Sequence, residues 1–283
     1  MMRITECPRD AMQGIQDWIP TELKIEYLNQ LLKCNFDVLD FGSFVSPKAI
    51  PQLKDTAEVL SNLKLSATKM LAIVANVRGA EEACEFEQIN YLGFPFSISE
   101  TFQQRNTNSS IEESLEKVLT IQELATKNSK ELLIYISMGF GNPYGDPWHP
   151  EIVAQWTQKL EKEGIKHFAL SDTIGAADVV SISQLFEMLI PEFPKLNIGA
   201  HLHALPQDVK IKAQAAIDSG CKALDLAIKG MGGCPMAKDD LTGNMDTIPI
   251  LELLSEKNIS HNVDMAEFDK AVNLSSKIFD YHH

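Results

Sequence analysis

A chain of 283 residues, 45% of them hydrophobic, is long enough to bury a sizeable core, and its formal charge of −14 argues against a nucleic-acid binder, which usually shows a basic face. Its five cysteines, Cys7, Cys34, Cys84, Cys221 and Cys234, are odd in number and lack CxxC spacing. That pattern argues against a disulfide framework or a structural zinc site and fits a reducing compartment.

The opening MMRITECPRD has neither an apolar signal core nor an Arg-rich leader, and no apolar run is long enough to span a bilayer. A cytoplasmic protein with no membrane or nucleic-acid partner is therefore expected. The closing YHH is compatible with a trimmed affinity tag, so His282 and His283 enter no argument.

In chain order, short apolar runs alternate with longer amphipathic stretches. The first candidate strand, MRITE (2–6), is followed by Arg9-Asp10, and then by a helical stretch, PTELKIEYLNQLLKC (20–34). FDVLDFG (36–42) ends near Asp40 and GSFVSPK (42–48), and KMLAIVA (69–75) leads to Asn76. YLGFPFS (91–97) leads to Ser97 and Glu100, and a second helical stretch, IEESLEKVLTIQELATKN, covers 111–128. ELLIYIS (131–137) ends in Ser137, and KHFALSD (166–172) ends in Asp172. LNIGAHLH (196–203) closes on His201 and His203, and is followed by the helical DVKIKAQAAIDSG (208–220). The last strand, KALDLAI (222–228), runs into the glycine-rich IKGMGGCPMAKDDLTGN (228–244). The helical stretches repeat apolar residues at three- and four-residue spacing.

Eight strand–helix units over about 250 residues, with no linker between them, predict a single (β/α)8 TIM barrel. One domain over 1–283 is expected, with its core over about 2–260 and a C-terminal helix over 261–281. A doubly wound open sheet is the competing fold. It normally carries a glycine-rich turn after its first strand, where this chain has CPRDAMQ. In a barrel, the polar residues after the strands all gather at the C-terminal rim, which becomes the expected active site.

Residues i and i+2 of a strand share a face, so His201 and His203 would point at one ion. Strands one and seven lie two apart around a barrel, with strand eight between them. Asp10 and an oxygen from the loop after strand eight would complete the set. Two nitrogens with oxygen ligands suit Mg2+, Mn2+ or a similar labile divalent ion, rather than a closed thiolate zinc site. GMGGCP lacks the GK[ST] ending of a phosphate-cradling loop.

ITECPRDAMQ (4–13), GSFVSPKAIPQLKD (42–55), SETFQQRNTNSSIEES (99–114), SDTIG (171–175), HLH (201–203) and GMGGCPMAKDDLTGN (230–244) together resemble the 3-hydroxy-3-methylglutaryl-CoA lyases. These are metal-dependent TIM-barrel enzymes related to Claisen-type synthases. The resemblance runs in matching order from about residue 3 to about 255. SFVSPK, SIEES and GGCP are specific to the lyases, whereas RD and HxH are shared with the synthases.

The resemblance implies metal ligation by Asp10, His201, His203 and Asn244, a catalytic Arg9, and Cys234 as the reactive thiol of a mobile loop. It puts Asp40 where the lyases have a glutamate, makes Asp172 an acidic residue facing the site, and places Gln13 in the first loop. His201 is the expected proton acceptor for the substrate hydroxyl. Asn76, Ser97 and Ser137 are expected to position substrate, Lys48 to reach phosphates or the rim, and Glu100 to hold its loop.

The implied reaction cleaves 3-hydroxy-3-methylglutaryl-CoA, or a close variant of it, and yields acetyl-CoA and, from the standard substrate, acetoacetate. It needs a divalent metal and no organic cofactor beyond the CoA moiety of the substrate. A homodimer or other homo-oligomer is expected. Three features depart from the family pattern: RDAMQ in place of RDGLQ, the shorter Asp40, and a Cys234–Asn244 segment one residue longer. The rival readings are a Claisen condensation enzyme, a metal-dependent 4-hydroxy-2-oxo acid aldolase and a non-catalytic barrel. Because the chain stops near the barrel's last helix, the lyase is favoured over the synthases, which commonly carry further C-terminal domains.

Overall fold

The computed structural model describes residues 1–233 and 242–280. Strands β1 (Arg3–Glu6), β2 (Val38–Ser43), β3 (Lys69–Ile73), β4 (Ile89–Ser97), β5 (Glu131–Ser137), β6 (His167–Asp172), β7 (Asn197–Leu202) and β8 (Ala223–Leu226) close into one barrel in chain order. Every neighbouring pair is parallel, and the barrel is sealed by β1 on β8, from Arg3 opposite Ala223 to Glu6 opposite Leu226. The (β/α)8 expectation holds, and the open-sheet alternative is excluded by that closing pair.

Helices fill each crossover. α1 (Pro8–Gln13) and α2 (Thr21–Leu31) follow β1, α3 (Thr56–Ser61) follows β2, and α4 (Val77–Cys84) follows β3. α5 (Glu100–Thr107) and α6 (Ile111–Lys127) follow β4, α7 (Pro150–Lys162) follows β5, and α8 (Val179–Glu192) follows β6. α9 (Val209–Asp218) follows β7, α10 (Thr247–Glu256) follows β8, and α11 (Met265–Phe279) packs against α2. Among the described residues no helix is long and apolar enough to cross a membrane.

Local chemistry sets these boundaries. α6 starts at a reciprocal cap, in which Glu113 N donates to Ser110 Oγ at 3.1 Å and Ser110 N donates to the Glu113 carboxylate at 2.7 Å. Pro8, which has no N–H to leave unsatisfied, occupies the first turn of α1. At the β2–β3 register shift between Asp40 and Gly42, a Cβ on Gly42 would come within 2.5 Å of Thr56 Cγ2. Only glycine lets α3 sit this close to the strand.

The strands are buried on both faces, as parallel strands covered by helices must be. Outward residues such as Ile4, Leu39, Leu92, Ile134, Leu170 and Leu226 join the helices in the main core. Inside the barrel, Val38, Leu71, Ile73, Tyr135 and Ala169 form a separate apolar plug. Two residues further along the same strands the inward face becomes polar: Val38 gives way to Asp40, Tyr135 to Ser137 and Ala169 to Ser171. The two-residue period of the strand therefore puts the polar layer at the C-terminal rim, directly above the plug.

Glu6 points out from β1 and is fully buried. Its carboxylate accepts from Ile228 N at 2.8 Å and from Thr247 Oγ1 at 2.7 Å, joining both roots of the segment between β8 and α10. Burial raises its pKa to about 8, against the pull of those two hydrogen bonds.

Candidate active site

β1 passes into α1 with one intervening residue, so Arg9 and Asp10 stand on the first turn of a helix at the rim, with Gln13 one turn further on. Arg9 Nε donates to Asp40 Oδ1 and Oδ2 at 3.2 and 3.0 Å, and Nη2 donates to Oδ2 at 2.6 Å. Arg9 Nη1 donates to Asp10 Oδ1 and Gln13 Oε1, both at 2.9 Å, and Gln13 Nε2 donates to Asp10 Oδ1 at 2.7 Å. Burial opposes the guanidinium charge, but Asp40 and Asp10 more than reverse this and hold the Arg9 pKa above its ordinary value. Full burial pushes Asp40 up to about 6, with Arg9 pulling the other way. Asp10 is also buried, which disfavours its charge, yet Arg9, His201 and His203 hold it below the usual carboxylate range.

Facing this cluster, His201 and His203 project from the end of β7. Ligand atoms of Asp10, His201 and His203 lie within 4.8 Å of one another. His203 is 3% exposed, and among the described residues neither ring nitrogen has a hydrogen-bond partner. Burial, reinforced by His201, drives its pKa down to about 4, so the ring is neutral at physiological pH and carries a lone pair with nothing to bind. An uncompensated buried imidazole is costly, and a divalent cation would satisfy it. On this ground the residues fit a metal.

His201 Nδ1 lies 3.2 Å from Asp225 Oδ2, which leaves Nε2 free. The sequence suggested two jobs for His201, metal ligand and proton acceptor. With Nδ1 committed, a ring holding an ion at Nε2 cannot take a proton at that same atom. Asn244 returns from the segment after β8 and donates through Nδ2 to Asp10 Oδ2 at 2.6 Å and to Met231 O at 2.9 Å. Its amide oxygen is therefore the atom left for an ion. Gly232 makes this approach possible, because it adopts φ +109° and a Cβ there would lie 2.4 Å from Asn244 Nδ2.

A cavity of about 540 Å3 opens over these groups. Arg9, Asp10, Gln13, His201 and His203 line its floor, and Asn76 and Ser137 line its side. Asn76 also caps α4, accepting from Gly79 N at 2.9 Å. Asp40 lies just behind Arg9 and does not line the cavity.

The remaining candidates fall elsewhere. Ser97 is buried, and its Oγ bonds to the Ser99 backbone. Lys48 is exposed on a turn outside the cavity. Asp172 does not line the cavity: it is 1% exposed, with Oδ2 accepting from Lys212 Nζ and Ala177 N, both at 3.1 Å. Burial raises its pKa, with Lys212 pulling it back. Glu100 accepts from Ile111 N at 3.1 Å and so holds the α5–α6 turn. Cys234 lies outside the described residues.

Sequence reasoning passed over Arg105 and Lys117, which line the cavity, and Asp225 and Lys212, which support it. Asp225 had a signal: a lone carboxylate inside the apolar run KALDLAI, at the level where the inward face turns polar. Lys212 had none, because its role depends on helix-to-strand packing.

Fold and site together define a (β/α)8 lyase-type barrel with a carboxylate and two imidazoles converging at the C-terminal rim. The chain belongs to the HMGL-like family, whose model matches residues 4–274. It is 34% identical to a hydroxymethylglutaryl-CoA lyase of Bacillus subtilis over 259 residues, covering 91% of this chain and 86% of that protein. It is 32% identical, with the same coverage, to a 3-hydroxy-3-isohexenylglutaryl-CoA/hydroxy-methylglutaryl-CoA lyase of Pseudomonas aeruginosa. A solved HMG-CoA lyase structure from Acinetobacter baumannii, in complex with coenzyme A and 3-methylmalate, superposes with a TM-score of 0.90 at 27% identity, covering 98% of this chain and 90% of that one.

Proposed function

We propose that this protein is a divalent-metal-dependent carbon–carbon lyase that cleaves 3-hydroxy-3-methylglutaryl-CoA to acetyl-CoA and acetoacetate, or a closely related 3-hydroxyacyl-CoA to acetyl-CoA and the corresponding 3-oxo acid. The observation that carries the reading is the unpartnered His203 imidazole beside Asp10, His201 and Arg9 on the floor of an open cavity. The lyase names of its relatives, and the coenzyme A bound to one of them, support the acyl-CoA substrate.

Asp10, His201 through Nε2, His203 and the Asn244 amide oxygen would hold the ion, with Mg2+ or Mn2+ favoured by the nitrogen and oxygen donors. The ion supplies Lewis acidity that makes the substrate hydroxyl easier to deprotonate. The C3 hydroxyl loses its proton, C3 becomes a ketone, and the C2–C3 bond breaks with its electron pair moving into the thioester enolate. The resemblance suggests a histidine or acid beside the metal as the acceptor of that proton. Asp10 is the only carboxylate lining the cavity among the described residues, and it can accept only through an oxygen that does not hold the ion. Arg9, held rigid by Asp40 and Gln13, offers a permanent positive charge to the enolate oxygen. Protonation at C2 then releases acetyl-CoA. Cys234 is proposed as the donor on the resemblance alone.

A homo-oligomer working in the cytoplasm completes the proposal, with sizing chromatography as its check. Purified protein assayed with Mg2+ or Mn2+ against branched 3-hydroxyacyl-CoA esters is expected to release acetyl-CoA and to lose that activity after chelation. No turnover of any ester in the presence of metal would remove the lyase reading. Condensation of acetyl-CoA with a 2-oxo acid under the same conditions would put a synthase in its place.

A further inference from the structure

His203 is held in an unusual way. Its ring has no hydrogen-bond partner among the described residues, but its backbone is pinned from two sides. Lys212 Nζ, reaching across from α9, donates to His203 O at 3.0 Å, and the next residue, Ala204, donates through its N–H to Gly243 O at 3.0 Å. The same ammonium donates to Gly175 O at 3.0 Å and to Asp172 Oδ2 at 3.1 Å. Three N–H groups thus meet three acceptors, drawn from the loop after β6, the end of β6 and the end of β7. Lys212 is 6% exposed and Asp172 1%, so the pair is withdrawn from solvent. The frame extends to the segment after β8, where Thr242 Oγ1 donates to Ile174 O at 3.4 Å, two residues before Asn244.

We propose that Lys212 is a positioning residue for the metal site, fixing the backbone of His203 so that its unpartnered imidazole faces Asp10 and His201, and that Asp172 acts as the counter-ion of Lys212 and carries no proton in the reaction. The assignment rests on reading Asp10, His201 and His203 as metal ligands. An ammonium whose three donors are all spent has no capacity to bind substrate, and a carboxylate tied to that ammonium and to a backbone N–H, outside the cavity, cannot reach the reacting atoms. What the pair can do is hold the ends of two adjacent strands at a fixed separation, with the charge of each compensated by the other. Residues that orient metal ligands from behind typically alter affinity by about tenfold to a hundredfold when removed.

The test measures Mn2+ binding by electron paramagnetic resonance, with no CoA ester present, and thermal melting on the same samples. In Lys212→Met the Mn2+ dissociation constant is expected to rise at least about tenfold. Asp172→Asn leaves the Lys212–His203 contact in place and is expected to bind Mn2+ within about threefold of the parent chain. The double variant Lys212→Met with Asp172→Asn carries no unpaired buried charge and is expected to melt closer to the parent while keeping the weakened Mn2+ binding. A purely structural role would lower the melting temperature and leave the affinity of the folded fraction unchanged. A folded double variant with parental Mn2+ affinity overturns the proposal, as does an Asp172→Asn variant that keeps full affinity yet loses all turnover. A parent chain that binds no Mn2+ removes the metal site and this proposal with it. A parent chain that binds Mn2+ but cleaves no CoA ester removes only the lyase reading, and the affinities still decide the role of Lys212.

Discussion

Arg9 makes five hydrogen bonds to Asp40, Asp10 and Gln13, and that density sets what its replacement should do. Arg9→Gln is expected to lower kcat by about 10²–10³-fold, the usual effect of removing one preorganised donor to an oxyanion. It should also leave Asp10 and Asp40 without their shared cation. A lower melting temperature should therefore accompany the kinetic loss, and steady-state kinetics beside calorimetry would show both. Unchanged kcat would take Arg9 out of the chemistry.

At this scale the sequence was legible where a residue's role depends on strand alternation or a motif. Asp10, His201 and His203 converge as their spacing implied. It was not legible where a long side chain decides the matter. Asp172 ends β6 as expected, but its carboxylate is claimed by Lys212, forty residues away on a helix. The lone carboxylate in KALDLAI marked Asp225 as an inward polar residue, but not that it pairs with one of the two nitrogens of His201.

Among the elements, the strands were the most readable, because each is a short apolar run and most have a polar residue at or just beyond the rim. The differences have local causes. β8 stops at Leu226, short of 228, because Glu6 captures the Ile228 N–H and Lys229 turns to φ +66°. α2 ends at Leu31, short of 34, as Leu32 to Asn35 leave the helix and Asn35 adopts a positive φ of 57°.

The Glu6 staple has a measurable consequence. Its folded pKa of about 8 lies above the unfolded value of 4.5, so the native state binds the proton more tightly. The associated stability is fully present below pH 4.5 and is lost as pH rises through 8, by roughly 4–5 kcal/mol in total. Denaturant unfolding between pH 5 and 8.5 should show a decline in the parent chain that is largely absent in Glu6→Gln. Parallel curves for the two proteins would show that the carboxyl is already ionised in the folded state.

The molecule as a whole carries a formal charge of −14, yet it is proposed to bind a polyanionic CoA ester. Arg105 and Lys117 reconcile the two, since both line the cavity while no carboxylate other than Asp10 does so among the described residues. Lys117→Gln is expected to raise KM for the ester by about fivefold, the effect of roughly 1 kcal/mol, with kcat unchanged. Added salt should shrink the difference between the two proteins. Equal KM values at low ionic strength would remove Lys117 from substrate binding. Composition alone gave the excess of negative charge but not its distribution, which depends on which loops the barrel gathers at one end.

Asp10 and Asn244 touch across 234 residues of sequence, joined where β1 closes on β8. A chain emerging from a ribosome presents Asp10 first, the two histidines much later, and Asn244 last of these four. No partial chain lacking β8 can assemble the full set, so a nascent polypeptide offers passing cations at most part of it. Loading with metal thus reports that the barrel has closed, and the bound ion stabilises only the finished molecule.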